Sequence, residues 1–375
     1  MNNALDVLNF SRTLSRTNGG IFFAMKGLYE AFCSNFGGNI LLYGRQDRFS
    51  GCDNIAGTDK KSIITLTKFL KGQNICLHLH GLWSVYSFAA YVCKRKHMNI
   101  PYVISPHGML DAVALSYSSL KKKFAMALYE RSNLNKADCL HALCEAEYQS
   151  IRELGFSNPV AVISNGINIP DITKKSDWPF REKWKNKKIL LYLGRLHHKK
   201  GVANVIDAWA KIQSRFHGWR FAVVGPSENG YDKHLHGLIR KYDLHEYVDV
   251  LGAKYGGDKE SCYINADAFI LPSYSEGLPM TVFEALSYGL PVIYSENCNL
   301  NSNCGVGIKI NVNIDCIAGA LEKIFTCNID EKEKMCSAAI AYAQKYSWIS
   351  RAQMMRDVYL WLLGKADKPE CVYCA

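Results

Sequence analysis

The chain has 375 residues, of which 48% are hydrophobic and 21% charged. That length exceeds one ordinary domain and predicts two, and the composition excludes a disordered or fibrous chain. A formal charge of +11 favours anionic partners: phosphorylated small molecules, anionic lipid or nucleic acid.

No apolar run reaches the ~18 residues of a membrane span. The start, MNNALDVLNF, lacks the basic and apolar regions of a signal peptide, so a cytoplasmic location is expected. The 14 cysteines are scattered among apolar residues and read as free thiols. The terminal Cys371-x-x-Cys374 lacks a second ligand pair, so no metal site is expected.

In chain order, short apolar runs alternate with longer amphipathic ones. ALDVLNF, NILLYG, ICLHLH, YVISP, CLHAL and VAVIS read as strands; IFFAMKGLYEAF and SVYSFAAYVCKRKH read as helices. This is the rhythm of a parallel sheet covered on both faces. It restarts after a polar stretch with ILLYLG, and FAVVG, VDVLG, AFILP and PVIYS follow. The expected architecture is α/β: two doubly wound Rossmann-like domains facing a cleft. Residues 1–165 form the first, 166–188 a linker, 189–346 the second, and 347–375 a terminal helix returning to the first. Open sheets of this kind bind ligands beyond the carboxyl ends of their strands.

Each half opens with strand, glycine turn and helix. The first turn holds Gly19 and Gly20; the second, GRLHHKKG, holds Arg195 and Lys200. Glycine turns entering helices expose N–H groups that suit phosphate.

The stretch EGLPMTVFE places Glu276 before a helix that Pro279 opens, and Glu284 inside it. The amides of Met280, Thr281 and Val282 are expected free at the helix start and favour an anion. Carboxylates beside an anion serve better as acceptors for neutral hydroxyls on either side of it. Hydroxyls flanking a diphosphate describe a nucleotide sugar. Arg195 and Lys200 would neutralise the diphosphate. No Asp-x-Asp triplet occurs, which argues against one common magnesium-held mode of binding.

These motifs, with SPHG (Ser105–Gly108) and ISNGI (Ile163–Ile167), resemble the retaining GT-B glycosyltransferases of family 4, the narrower likeness being to enzymes of bacterial O-antigen, capsule and exopolysaccharide synthesis. The resemblance implies a UDP-, GDP- or ADP-sugar as donor, no further cofactor, and a saccharide acceptor that is lipid-linked. It implies that Glu284 holds the donor ribose, and that Glu276 holds sugar hydroxyls with the backbone of Gly277, Leu278, Pro279, Met280 and Thr281. Arg195 and Lys200 would bind the diphosphate, Gly19 and Gly20 would let the first domain approach it or the acceptor, Ala253 and Lys254 would meet the base, and His107 would sit beside the reacting sugar. His78 and His80 read as structural residues of a buried strand.

Lys121, Lys122 and Lys123 lie beside Leu120, Phe124 and Leu128 on a basic amphipathic segment, which suits an anionic membrane surface on the cytoplasmic side. Two other readings use the same residues. A nucleotide-sugar epimerase would consume donor without acceptor. A non-enzymatic lipid- or nucleic-acid-binding protein would show salt-sensitive binding without nucleotide release; no helix-turn-helix or aromatic RNA platform appears, and nucleic acid is not expected as a partner.

Overall fold

The computed structural model describes residues 5–13, 20–36, 40–45, 75–111, 114–115, 119–171, 176–276, 278–298, 300 and 305–375. It divides into two compact units, one made of Met1–Gly166 with Trp348–Ala375 and the other of Ile167–Ser347.

The first unit is built on strands β1 (Asp6–Thr13), β2 (Ile40–Arg45), β3 (Ile75–His80), β4 (Tyr102–Ser105), β5 (Cys139–Ala142) and β6 (Val160–Val162). They pair in parallel in the order β6-β5-β4-β3-β1-β2. Every residue of β3, β4 and β5 is buried, which accounts for their near-continuous apolar character. The helix Val85–Lys96 starts where Ser84 accepts the Ser87 N–H and Ser87 answers with its own hydroxyl, a reciprocal cap.

The terminal helix Trp348–Leu362 belongs to this unit and packs on the helix Gly20–Phe36. A side chain at position 27 would place its Cβ 2.1 Å from the Trp348 indole, so Gly27 admits that ring. The Cys-x-x-Cys tail is an edge of the same sheet. Val372 and Tyr373 form β13 of the molecule, antiparallel to β6, and the Cys371 carbonyl accepts the Val162 N–H.

The second unit contains β7 (Lys188–Leu193), β8 (Trp219–Val224), β9 (Val248–Val250), β10 (Ala268–Leu271), β11 (Val292–Ser295) and β12 (Gly307–Ile310). They form one parallel sheet in the order β12-β11-β10-β7-β8-β9. The helix Val202–Ile212 buries Val202, Val205, Ile206 and Trp209, residues three and four apart on the face toward the core.

Residues 166–188, expected as a linker, are instead part of this unit from Ile167 onward. Phe180 and Trp184 are buried in its core, and Arg181 pairs with Asp249 of β9.

Strand order reverses between β7 and β10. Chain leaving β7 runs on toward β8, whereas β10 leads to β11 on the other side. In open parallel sheets this reversal opens a crevice at the strands' carboxyl ends. The two segments that follow β7 and β10 are the two motifs GRLHHKKG and SEGLPM.

Candidate active site

The β7 and β10 loops are tied together through their backbones. The Lys199 carbonyl accepts the Tyr274 N–H at 2.8 Å and the Ser273 hydroxyl at 3.1 Å. Gly201, with φ +69°, lies directly against Pro272, where an added Cβ would stand 2.1 Å from the carbonyl oxygen. Backbone cannot yield as a flexible side chain can. Gly201→Ala is therefore expected to cost about 3 kcal/mol or more of stability. Urea denaturation of the variant checks this, and an unchanged midpoint would show that the two loops are not locked together.

This lacing brings Lys200 to Glu276. The Lys200 ammonium donates to Glu276 Oε1 at 2.5 Å, with the side chains 19% and 10% exposed. The pair stands immediately before the helix Met280–Ser287, for which Pro279 is the N-cap. Glu284, one turn inside that helix, is held at both oxygens. Lys259 donates to Oε1 at 2.6 Å and the buried Tyr263 hydroxyl to Oε2 at 2.8 Å. Both partners come from the helix Gly257–Ile264.

Three expectations change here. Of the helix-start amides expected free, the Met280 N–H donates to the Leu278 carbonyl and the Val282 N–H to that of Pro279, so the turn satisfies two of its own donors. The carboxylates do not stand alone awaiting hydroxyls, because each carries a lysine partner. Arg195 is not joined to this helix start: its exposed guanidinium pairs with Glu228, at 3.1 Å, on the loop after β8, while Tyr192 fixes its carbonyl. Ala253 and Lys254 lie on the loop after β9. Gly20 opens the helix Gly20–Phe36; Gly19 and Gly277 lie outside the described residues.

In the first unit His107 follows β4 and belongs to a larger polar assembly. Tyr359, His78, Ser105 and His141 form a continuous hydrogen-bonded row with 2.6 Å links, ending on the Ile163 carbonyl at 2.7 Å. A carbonyl only accepts, so His141 carries its proton on Nε2 and receives the Ser105 proton at Nδ1. Ser105 then accepts from His78 Nε2, and Tyr359 donates to His78 Nδ1. A second row joins Asn9, His80 and His107 through two contacts of 3.0 Å.

Burial holds these imidazoles neutral. It moves His78 and His80 well below the usual histidine range, and His141 down to about 4. Desolvation, with His141 adding to it, takes His107 down to about 3. The backbone at His107 is left-handed, φ +55°, followed by Gly108 at +74°. The buried Glu147 carboxylate accepts the Gly108 N–H at 2.6 Å and the Leu143 N–H at 2.7 Å, pinning that turn. Burial raises Glu147 to about 6.

His78 and His80 are buried, as expected of that strand, and His80 reaches the candidate His107. Sequence reasoning missed His141, Glu147, Tyr359, Lys259, Tyr263 and Glu228. A histidine inside CLHAL, among residues otherwise apolar or small, was the available signal for the first of them.

Comparison with known proteins covers both units. Residues 70–166 match the glycosyl transferase 4-like domain and residues 174–346 the glycosyl transferases group 1 family. An uncharacterized glycosyltransferase of Haemophilus influenzae is 24% identical over 246 residues, 64% of this chain and 63% of its own length. The putative teichuronic acid biosynthesis glycosyltransferase TuaC of Bacillus subtilis is 26% identical over 227 residues, 58% of this chain and 52% of its own length. The matched region thus spans less than two thirds of either curated relative. Among solved structures, a glycosyltransferase from Rickettsia africae superposes with a TM-score of 0.73 at 16% identity, covering 97% of this chain and all of that one. Anabaena Alr3699/HepE, solved with UDP and glucose, gives 0.69 at 17% identity, covering 94% and 98%. With two parallel-sheet units and two glycosyltransferase regions matched in succession, the chain has the GT-B fold and carries a glycosyl transferase 4-like region followed by a glycosyl transferases group 1 region.

Proposed function

We propose that this protein is a retaining glycosyltransferase that moves a sugar from a nucleoside diphosphate sugar to a hydroxyl of a lipid-linked saccharide in cell-surface polysaccharide synthesis. The observation that carries this reading is the Lys200–Glu276 pair beside the Met280–Ser287 helix, at the strand-order reversal of the second sheet. A cation and a carboxylate there serve the two parts of one donor. The ammonium meets phosphate, and the carboxylate accepts from sugar hydroxyls. Glu284, oriented at both oxygens, accepts from the ribose hydroxyls. Solved neighbours that bind UDP and UDP-glucose and relatives named for teichuronic acid, colanic acid and amylovoran synthesis support the reading.

As the sugar leaves, negative charge grows on the β-phosphate and positive charge on the anomeric carbon. Lys200, beside the start of the Met280–Ser287 helix, stabilises the phosphate side. The bond from the anomeric carbon to phosphate breaks, and the acceptor oxygen bonds to that carbon on the same face. Its proton passes to a phosphate oxygen of the departing diphosphate.

The donor is tested by melting the protein with UDP-, GDP- and ADP-sugars. A donor at 100 times its Kd adds ~2.7 kcal/mol of stability. Glu284→Ala is expected to remove that shift, whereas Glu276→Ala keeps most of it and loses turnover. No shift from any nucleotide sugar would end the proposal.

The protein acts, on this reading, at the cytoplasmic face of a membrane. Among the described residues no helix is long and apolar enough to cross one. The helix Ser119–Ala125 and the π-helical turn Met126–Glu130 expose Leu120 (82%), Phe124 (69%) and Leu128 (69%), four residues apart, and Lys121 and Lys123 are exposed beside them. Lys122 reaches the Ala114 carbonyl at 2.5 Å. At about 1 kcal/mol per cation, replacing Lys121, Lys122 and Lys123 with glutamate should weaken binding to anionic vesicles at least ~100-fold. Equal co-sedimentation of variant and wild type would refute membrane binding through this segment.

A further inference from the structure

His107, His80 and His141 line one cavity of the first unit together with Asn165 and Arg351. His80 lies between Asn9 and His107, using one ring nitrogen on each. The Asn9 side-chain oxygen accepts, so His80 Nε2 carries a proton and donates to it. A neutral imidazole has one proton, and His80 Nδ1 is therefore a bare acceptor. Its contact with His107 Nε2 is then a hydrogen bond donated by His107. The neutral His107 ring has spent its proton on that bond, which leaves Nδ1 with a lone pair. Among the described residues no side chain or backbone group bonds that atom.

The two rings are also stacked, with centroids 5.3 Å apart and planes 28° from parallel. The left-handed backbone of His107 is held by Glu147 through Gly108. Backbone and ring are thus fixed independently, more constraint than a packed histidine requires.

We propose that Asn9 and His80 are positioning residues that lock His107 in the Nε2–H tautomer, so that Nδ1 serves as a hydrogen-bond acceptor for a saccharide hydroxyl. The use of that acceptor rests on the transferase reading; the tautomer does not. The opposite tautomer would turn an N–H toward the substrate. That group would accept no hydroxyl proton, so the direction of the row decides which hydroxyl geometry is bound.

Nitrogen-15 NMR of histidine-labelled full-length protein at pH 7.5 reads the tautomer directly, with His107→Asn assigning the signals. Wild type should show His107 Nδ1 unprotonated and Nε2 protonated. In Asn9→Leu, His80 loses its acceptor and is free to carry its proton on Nδ1, and His107 should shift to a mixture or to the Nδ1–H form. A wild-type Nδ1–H signal overturns the proposal, and that measurement stands even where Asn9→Leu fails to fold. An unchanged tautomer in folded Asn9→Leu removes Asn9 from the role. With the donor found by melting, Asn9→Leu should lower kcat about tenfold, the scale of one hydrogen bond, with donor KM within about twofold. An unaltered kcat would show that Nδ1 is not used on substrate. Failure of every donor to bind would instead fault the transferase reading and leave the NMR result intact.

Discussion

Lys200→Ala is expected to lower the rate of sugar transfer by about 10²–10³-fold, the range seen when a fixed donor to a developing negative charge is lost. The effect has two sources in the geometry. The ammonium that would meet the leaving diphosphate is gone. Glu276, only 10% exposed and 2.5 Å from that ammonium, also loses the cation that orients it. The second source has its own signature. Lys200→Ala should lose about 1–3 kcal/mol of stability, and Lys200→Ala combined with Glu276→Ala should recover part of it, since removing both members of an ion pair costs less than removing one. Activity should not recover. Release of nucleoside diphosphate from the donor, alongside urea melts of the three variants, reads both effects. A single variant with wild-type turnover would remove Lys200 from the diphosphate site.

Acidification should loosen the first unit well before the second. His78, His80 and His141 are buried and neutral, with pKa values held below the unfolded value near 6.5. Between about 4 and 6.5 the unfolded chain binds protons that the native one does not, so stability is intact above that window and falls as pH falls through it. At pH 5 His141 costs about 2 kcal/mol, and His78 and His80, lowered by the same burial, add to the loss. Glu147 works in the opposite direction. Its native pKa is raised to about 6, so the folded state holds a proton there that the unfolded state has released, and acid favours folding by that one group. The histidines outweigh it, and the net loss is a sizeable share of a domain's roughly 5–15 kcal/mol. Hydrogen exchange corrected for intrinsic rates should show protection in peptides from β3, β4 and β5 falling by more than about tenfold between pH 7.5 and 5, with little change in β7 and β8. Equal protection at both values would mean that these rings take up protons without leaving the core.

How much of this was legible depends on the range of the interaction. Strands β1 through β11 lie where short apolar runs predicted them, because a strand covered by neighbouring layers writes its environment into consecutive residues. Strand β12, GIKI, is half exposed at a sheet edge and carries no such run. The stretch holding Trp178, Phe180 and Trp184 looked like a linker because its lysines and proline dominate the local pattern, yet its aromatics reach the second core.

At the candidate site, single motif residues were visible and their partners were not. Glu284 stands in a recognisable stretch, whereas Lys259 and Tyr263 lie 25 and 21 residues earlier on a helix without a motif. Glu276 and Lys200 were both named, but their contact spans 76 residues. Arg195 was expected to converge with Lys200, and the loop after β8 takes its guanidinium instead.

By itself the sequence determined what local chemistry can encode: the alternation of strand and helix, the glycine at position 201 and the cap before Met280. It also placed lysine and glutamate at the ends of strands. Tertiary structure alone decided which charge meets which, where the 166–188 stretch packs, and that four histidines share two hydrogen-bonded rows. Ion pairs and proton directions depend on atoms brought within 3 Å by strand order, and strand order is set by burial of whole faces, to which no single segment holds the key.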